Sequence, residues 1–314
     1  MKFKNSNSCI IAHGDLDGII SAAVLVINLN IPVTKRNIIY TQPFELDKII
    51  ISDWIKKIYV TDIAVNNREP EMTKRFIDMY REEIVLWIDH HIGYSLLEEW
   101  LGEDKVIAGD SPSCPQLMKD NGFIVPEEWL AAANAADRPT DYPETDLSRF
   151  LNKALKAVIL KNGSNEIEKY FVMENIVLYL VKSYRGKDAS MEKGVIESYG
   201  KMYDEFMKNT EEAVKRIKDL ELKCKYKVGY LRLEKGEGSI DLTRLFIEAY
   251  KIYDIVIVQR YNIEEEVTII STKLKEIDLV KLFDLVSGAS FRVTLKGSHK
   301  EILEIIKERL ERLR

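Results

Sequence analysis

Cys9-Ile10-Ile11-Ala12 runs directly into His13-Gly14-Asp15-Leu16-Asp17-Gly18, and an almost wholly apolar stretch, Leu16 to Ile27, follows. A short apolar run closed by a turn residue reads as a buried strand. The longer stretch behind it reads as a helix. Two further apolar runs end in the same way: Ile58-Tyr59-Val60-Thr61 leads into Asp62, and Ile84-Val85-Leu86-Trp87-Ile88 leads into Asp89-His90-His91. Strands also fit Asn37 to Tyr40 and Lys105 to Ala108, and helices fit Arg68 to Tyr80, Ser113 to Asn121 and Glu127 to Ala136. Pro70, Pro112 and Pro126 fall near the helix starts, where a missing amide proton is tolerated. Strands alternating with helices predict an α/β fold with a parallel-sheet N-terminal domain. All strands of such a sheet point one way, so the three polar strand ends gather at one edge. That edge is where open α/β sheets bind ligands.

Collecting so many carboxylates at one edge is unfavourable without cations, because like charges in one cleft repel. Divalent ions relieve the repulsion. A carboxylate-rich set with one or two imidazoles suits Mn²⁺ or Mg²⁺ better than zinc. Histidine usage points the same way. The chain has four histidines, His13, His90, His91 and His299, and the first three lie in the strand-end clusters.

Outward from this core the pattern is helical from Leu151 to about Leu220, with breaks near Gly163 and from Gly186 to Ala189. Met191 to Leu220 reads as one long helix between domains. Mixed structure follows: strands over Lys225 to Leu233, Tyr253 to Arg260, Val267 to Lys273 and Phe291 to Lys296, and helices over Ile240 to Tyr250, Ile277 to Val286 and His299 to Leu313. The predicted organisation is a domain over residues 1–187, a helical linker over 188–220 and a smaller α/β C-terminal domain over 221–314.

Composition bounds the function. The chain has 314 residues with a formal net charge of −5, so it does not grip long duplexes by charge alone. From Leu222 onward 18 Lys plus Arg face 15 Asp plus Glu, a local +3, which leaves −8 on the rest. Cys9, Cys114 and Cys224 are far apart, which argues against a disulfide framework or a zinc ribbon and favours a reducing, cytoplasmic setting. Met1-Lys2-Phe3-Lys4-Asn5 has no apolar core behind it and no run approaches a membrane span, so neither a signal peptide nor a membrane anchor is expected.

Asp89-His90-His91 resembles the motif that names the DHH phosphoesterases. His13-x-Asp15-x-Asp17-Gly18 is similar to the first motif of that family, and Asp62 within Val60-Thr61-Asp62-Ile63 to its second. Ala131-Ala132-Ala133-Asn134-Ala135-Ala136-Asp137 fits the fourth, an Asp after a helix of small residues. Order and spacing agree across residues 8 to 140. The resemblance implies a hydrolase acting on phosphate esters with two Mn²⁺ ions, or Mg²⁺ or Co²⁺ in their place. His13, Asp15, Asp17, Asp62, His90 and Asp137 would be the metal ligands, with Asp62 bridging. Asp62, Asp89 and His91 would be the catalytic set: Asp89 orients a histidine and His91 meets the scissile phosphate. Attack is by an activated water, so no side-chain nucleophile is expected; Ser111 to Ser113 read as helix capping.

The C-terminal pattern resembles the DHH-associated substrate domain of RecJ-like exonucleases and nanoRNases. The family's glycine-rich loop corresponds here to Ser287-Gly288-Ala289-Ser290-Phe291-Arg292, in which one glycine remains and Phe291 stands where histidine is expected. Candidate substrate contacts are His91, Arg138, Arg260, Lys273, Gly288, Ser290, Arg292 and His299. The expected partner is a short or single-stranded nucleic acid or a nucleotide, cleaved by a phosphodiesterase or exonuclease. The alternatives are a small-nucleotide phosphatase acting on a 3′,5′-bisphosphate, a cyclic-dinucleotide phosphodiesterase, and a non-catalytic scaffold in a replication complex. The inorganic pyrophosphatases of the family rank low, since their first motif spaces its histidine further from the aspartates.

Overall fold

A computed structural model describes residues 7–66, 69–91, 94–139, 141–161, 166–235, 237, 239–262, 265–284 and 292–313. The chain divides into two compact units, Met1–Tyr203 and Asp204–Arg314.

The first unit begins with β1 (Ser8–His13), α1 (Leu16–Leu29), β2 (Ile38–Thr41), β3 (Lys57–Thr61), α2 (Pro70–Tyr80), β4 (Ile84–Asp89), α3 (Tyr94–Leu101) and β5 (Val106–Ala108). The helices α4 (Cys114–Asp120), α5 (Glu127–Asp137), α6 (Asp146–Leu160), α7 (Glu166–Tyr184) and α8 (Ser190–Lys215) follow. The five strands form one parallel sheet in the order β2-β1-β3-β4-β5. Every residue of β1 from Ser8 to Ala12 is fully buried, because helices cover both faces. The pleat then sorts side chains by parity. Ile10 and Ala12 join a core built with α1 and α4 to α7. Cys9 and Ile11 join a second core with Phe76 and Ile77 of α2 and Leu97 and Leu101 of α3. Helix α1 is buried from Leu16 to Val26, which accounts for its lack of a polar face.

The register sets up the site. Ala12 lies opposite Thr61, and Thr61 opposite Ile88. The residues that follow, His13, Asp62 and Asp89, therefore leave the sheet side by side. The chain steps from β1 to β2 on one side and returns to β3 on the other, so the strand order reverses there. Ligands of open α/β sheets sit at such a reversal.

The second unit holds β6 (Lys218–Asp219), β7 (Val228–Arg232), α9 (Leu242–Ala249), β8 (Ile255–Asn262), β9 (Glu265–Thr272), α10 (Leu279–Leu282), β10 (Arg292–Lys296) and α11 (His299–Glu311). Its sheet runs β10-β9-β8-β7-β6, antiparallel except between β7 and β8.

One local expectation is corrected. The long helix ends at Lys215, not Leu220, because Lys218 and Asp219 pair with β7 as an edge strand. Three elements went unpredicted: the short helix α3 and the 3₁₀ turns over Pro43–Lys48 and Glu103–Lys105. Gly163 and the glycine loop Ser287 to Phe291 lie outside the described residues.

Candidate metal centre

The turn from β1 into α1 carries the first motif. Asp15 is the N-cap of α1, and its Oδ1 accepts the Gly18 amide at 3.0 Å. Its other oxygen, Oδ2, lies 2.7 Å from His13 Nδ1. His13 Nε2 lies 2.8 Å from Gln42 Oε1, just past the end of β2. Asp17, in the first turn of α1, is 2% exposed and its Oδ2 accepts the Cys114 amide at 3.0 Å. Gly18 is dictated by sterics: a Cβ there would lie 2.4 Å from the His13 carbonyl oxygen.

Asp62 follows β3 with φ of 58°, the left-handed region that aspartate enters more readily than most residues. Its amide donates to the Ile88 carbonyl at 2.9 Å, which holds the turn against β4. The carboxylate is 2% exposed, yet neither oxygen has a hydrogen-bond partner among the described residues. Oδ1 is 3.3 Å from His90 Nε2 and 3.8 Å from His91 Nδ1, while Oδ2 is 3.9 Å from His13 Nδ1. Asp62 thus stands between the first-motif pair and the two histidines after β4.

His90 Nδ1 donates to the Ser111 carbonyl at 3.1 Å. A carbonyl only accepts, so the proton sits on Nδ1 and the lone pair on Nε2. That Nε2 is buried without a hydrogen-bond donor among the described residues, 3.3 Å from Asp17 Oδ2 and 3.9 Å from Asp137 Oδ2. Asp89 is buried and its Oδ1 lies 2.7 Å from His91 Nδ1, so of the two histidines it orients His91. Asp137 closes α5 and is exposed.

Sequence reasoning read Ser113 as a helix cap, as it is, but missed the other supports of this cluster. Arg138 donates to Asp110 Oδ1 at 2.7 Å and to the Ser111 carbonyl at 2.9 Å, the same oxygen that fixes His90. It thereby holds in place the carbonyl to which His90 donates. Ser113 caps α4 and its Oγ donates to Asn134 Oδ1 at 2.5 Å, tying α4 to α5. Gln42 carried a legible signal: it follows a strand of the same parallel sheet and so had to reach the same edge.

The electrostatics are those of a site short of positive charge. Burial pushes the Asp62 carboxyl well above its ordinary range, and the charges of Asp15, Asp89 and Asp137 push it further. Burial, then Asp62 and Asp15, do the same to Asp17. Burial also acts to raise Asp15, but its hydrogen bond and charge pairing with His13 win and hold it below the usual value. Cys114 is pushed well up by burial and by Asp62 and Asp17, so it is a poor nucleophile. Three sets of ligand atoms each fall within 4.8 Å of one another: His13, Asp15 and Asp62; Asp17, His90 and Asp137; Asp62, His90 and His91. Buried carboxylate oxygens without donors, beside an imidazole lone pair, fit divalent cations.

No family model matches the chain, and no curated protein matches it in sequence. Solved structures do match. A pGpG-specific phosphodiesterase, PggH from Vibrio cholerae, superposes with a TM-score of 0.64 at 15% identity, over 98% of both chains. Exonuclease RecJ bound to manganese gives 0.53 at 13% identity, over 97% of this chain and 89% of that one. RecJ from Thermus thermophilus in complex with Mn²⁺ gives 0.51 at 13% identity, over 96% of this chain and 51% of that one. The chain has the DHH fold. In this DHH fold the eight first-unit residues His13, Asp15, Asp17, Asp62, Asp89, His90, His91 and Asp137 converge, drawn from β1, α1, α5 and the ends of β3 and β4.

The second unit treats its candidates unevenly. Lys273 Nζ donates to the Tyr250 carbonyl at 2.8 Å and pairs with Asp254 at 3.3 Å. His299 is 4% exposed, with Nε2 3.2 Å from the Arg260 carbonyl. Arg292 donates to Ser271 Oγ at 3.2 Å and lies over the Phe246 ring. These three serve the unit's own packing. Arg260 differs: its Nε is buried without a hydrogen-bond partner among the described residues, and burial lowers its pKa. Gly288 and Ser290 lie outside the described residues.

Proposed function

We propose that this protein is a metal-dependent phosphoesterase that hydrolyses phosphodiester bonds in single-stranded or very short oligonucleotides. The observation that carries the reading is Asp62, a buried carboxylate whose two oxygens lack donors among the described residues and lie between His13 and Asp15 on one side and His90 on the other. His13, Asp15 and Asp62 would hold one cation. Asp17, Asp62, His90 and Asp137 would hold a second. Manganese is the expected ion, with Mg²⁺ or Co²⁺ able to substitute. Such ions, when bound, polarise phosphoryl oxygens and make water a nucleophile near neutral pH.

The chain's own groups do the rest. The Ser111 carbonyl accepts the Nδ1–H of His90 and so keeps the Nε2 lone pair free to ligate. Asp89 accepts the Nδ1–H of His91 and fixes that ring; in its doubly protonated form the ring would donate Nε2–H to a phosphoryl oxygen. The α4 amide of Cys114 orients Asp17. Burial of Asp17, Asp62 and His90 keeps bulk water from competing with these contacts.

The fold shared with a pGpG-specific phosphodiesterase supports the short end of the substrate range, and the fold shared with RecJ supports single strands. The net charge of −5 also favours small substrates. We assign the second unit to substrate binding, with Arg260 as its leading contact. A cytoplasmic site of action accords with the chemistry, and among the described residues no helix is long and apolar enough to cross a membrane.

The test offers labelled dinucleotides, longer RNA and DNA, a cyclic dinucleotide and a 3′,5′-bisphosphate nucleotide, each with Mn²⁺. Cleavage of dinucleotides or of single strands supports the reading. Release of phosphate from the bisphosphate alone makes the protein a phosphatase. Turnover of nothing, with full Mn²⁺ binding, overturns the reading.

A further inference from the structure

A cavity of about 430 Å³ opens beside the metal centre, inside the first unit. That volume lies within the usual range for a small-ligand site. Its walls come from the end of β2 (Tyr40, Gln42), the 3₁₀ turn (Phe44) and helix α7 (Tyr170, Met173). Gly14 lines it as well and sits in sequence between His13 and Asp15. A Cβ on Gly14 would meet Met173 Cε at 3.4 Å and Gln42 Nε2 at 3.7 Å, so the missing side chain leaves room between cavity and cluster. Gln42 joins the two directly, since its Oε1 is held by His13 at 2.8 Å.

The lining has the character of a stacking site. Three aromatic rings, Tyr40, Phe44 and Tyr170, line one cavity. Tyr170 is pinned, its hydroxyl donating to the Ile38 carbonyl at 2.8 Å, and its ring lies 5.5 Å from that of Tyr40. Phe44 is 56% exposed, so it contributes little to the fold and leaves a large apolar surface in water beside the cavity. The Tyr40 hydroxyl is buried with no hydrogen-bond partner among the described residues. The side-chain oxygen of Gln42 is committed to His13. Aromatic walls, with the Tyr40 hydroxyl and the charged groups of Glu45, Glu166 and Lys169 also in the lining, match a heteroaromatic ring that carries donors and acceptors.

We propose that this cavity is a nucleobase subsite, in which Phe44 stacks on the base next to the scissile phosphate while His13 and Asp15 face that phosphate. The proposal deepens the phosphodiesterase reading and rests on it. It places substrate selection partly in the first unit, on residues outside the metal ligands. Base–aromatic stacking contributes about 1–3 kcal/mol per base, which sets the expected effect at roughly tenfold to a hundredfold in KM.

The experiment compares a dinucleotide with analogues that lack one or the other base, using Mn²⁺-loaded protein. Phe44→Leu keeps an apolar side chain, and Phe44→Trp keeps a stacking ring. Both changes fall on an exposed residue, so the fold is retained, and circular dichroism verifies it. Phe44→Leu should raise KM for the dinucleotide at least about tenfold with little change in kcat, and Phe44→Trp should restore it. For one abasic analogue the wild type should already show the raised KM, and Phe44→Leu should not raise it further. An equal effect of Phe44→Leu on the dinucleotide and both abasic analogues overturns the subsite. So does an unchanged KM. Failure of the wild type to cleave any of these substrates strikes the phosphodiesterase reading itself, a result distinct from either.

Discussion

Replacing Asp62 by asparagine should move stability and activity in opposite directions. In the folded chain, burial and the charges of Asp15, Asp89 and Asp137 raise the Asp62 pKa well above its ordinary range. In the unfolded chain it titrates near 3.9, to within about a unit. Below that value the acid is protonated in both states and contributes nothing to the pH dependence. Between the two pKa values the folded state keeps a proton that the unfolded state releases. Stability of the metal-free protein therefore falls as pH rises, by up to about 1.4 kcal/mol per pH unit, until the folded pKa is passed. Asparagine carries no such proton, and the left-handed backbone at position 62 tolerates it. It also relieves Asp17, whose pKa Asp62 helps to raise. The first unit spans Met1–Tyr203, a size at which 1 kcal/mol shifts Tm by about 2–4 °C. The Tm gap between metal-free variant and wild type should thus widen, in the variant's favour, by up to about 3–6 °C per pH unit from about pH 4 until the folded-state pKa is passed. Thermal unfolding in EDTA, followed by circular dichroism from pH 5 to 8, measures it. With Mn²⁺ the order reverses, and turnover by the variant should drop at least about a hundredfold. A metal-free variant less stable than wild type at pH 8, or one with near-normal turnover, refutes the assignment of Asp62 as a buried bridging ligand.

Three further expectations follow from the same geometry. Manganese at a hundred times its dissociation constant should stabilise the wild type by about 2.7 kcal/mol, or roughly 5–10 °C, and EDTA should abolish the gain; no Mn²⁺-dependent shift in a calorimetric scan would count against a metal centre. Asp89→Asn should leave that Mn²⁺ shift nearly intact but lower kcat about 10–100-fold, because His91 loses its anchor while the ligands stay; steady-state kinetics beside the thermal shift separates the two effects. Gly18→Ala should lower both Tm and activity, since the new Cβ would stand 2.4 Å from the His13 carbonyl oxygen and force α1 away from β1; a variant with wild-type Tm and rate would show that the turn yields freely.

The parallel sheet was legible because its strands are apolar runs cut off by polar turns, and burial on both faces permits no other pattern there. The first, second and third motifs were legible for the same reason: each sits where such a run stops. Asp137 was harder, being the last residue of a helix of small residues, and it emerged through family resemblance rather than periodicity. Helix α3 and the 3₁₀ turn Pro43–Lys48 escaped because short elements carry too few residues to show a period. The overlong Met191–Leu220 helix failed because strand pairing with β7 overrides helical propensity at Lys218 and Asp219.

The sequence by itself determined which chemical groups are present and on which edge of the sheet they lie, because strand direction and pleat are local rules. It did not determine how those groups divide their work. That Asp89 serves His91 while the Ser111 carbonyl serves His90 depends on β4, the residues after β5 and the start of α4 meeting in space. Arg138, read from sequence as a candidate phosphate contact, also holds the Ser111 carbonyl, and the aromatic cavity joins residues more than a hundred positions apart. Such partnerships are fixed by packing between distant segments, and packing distances are not written in any stretch of chain short enough to read alone.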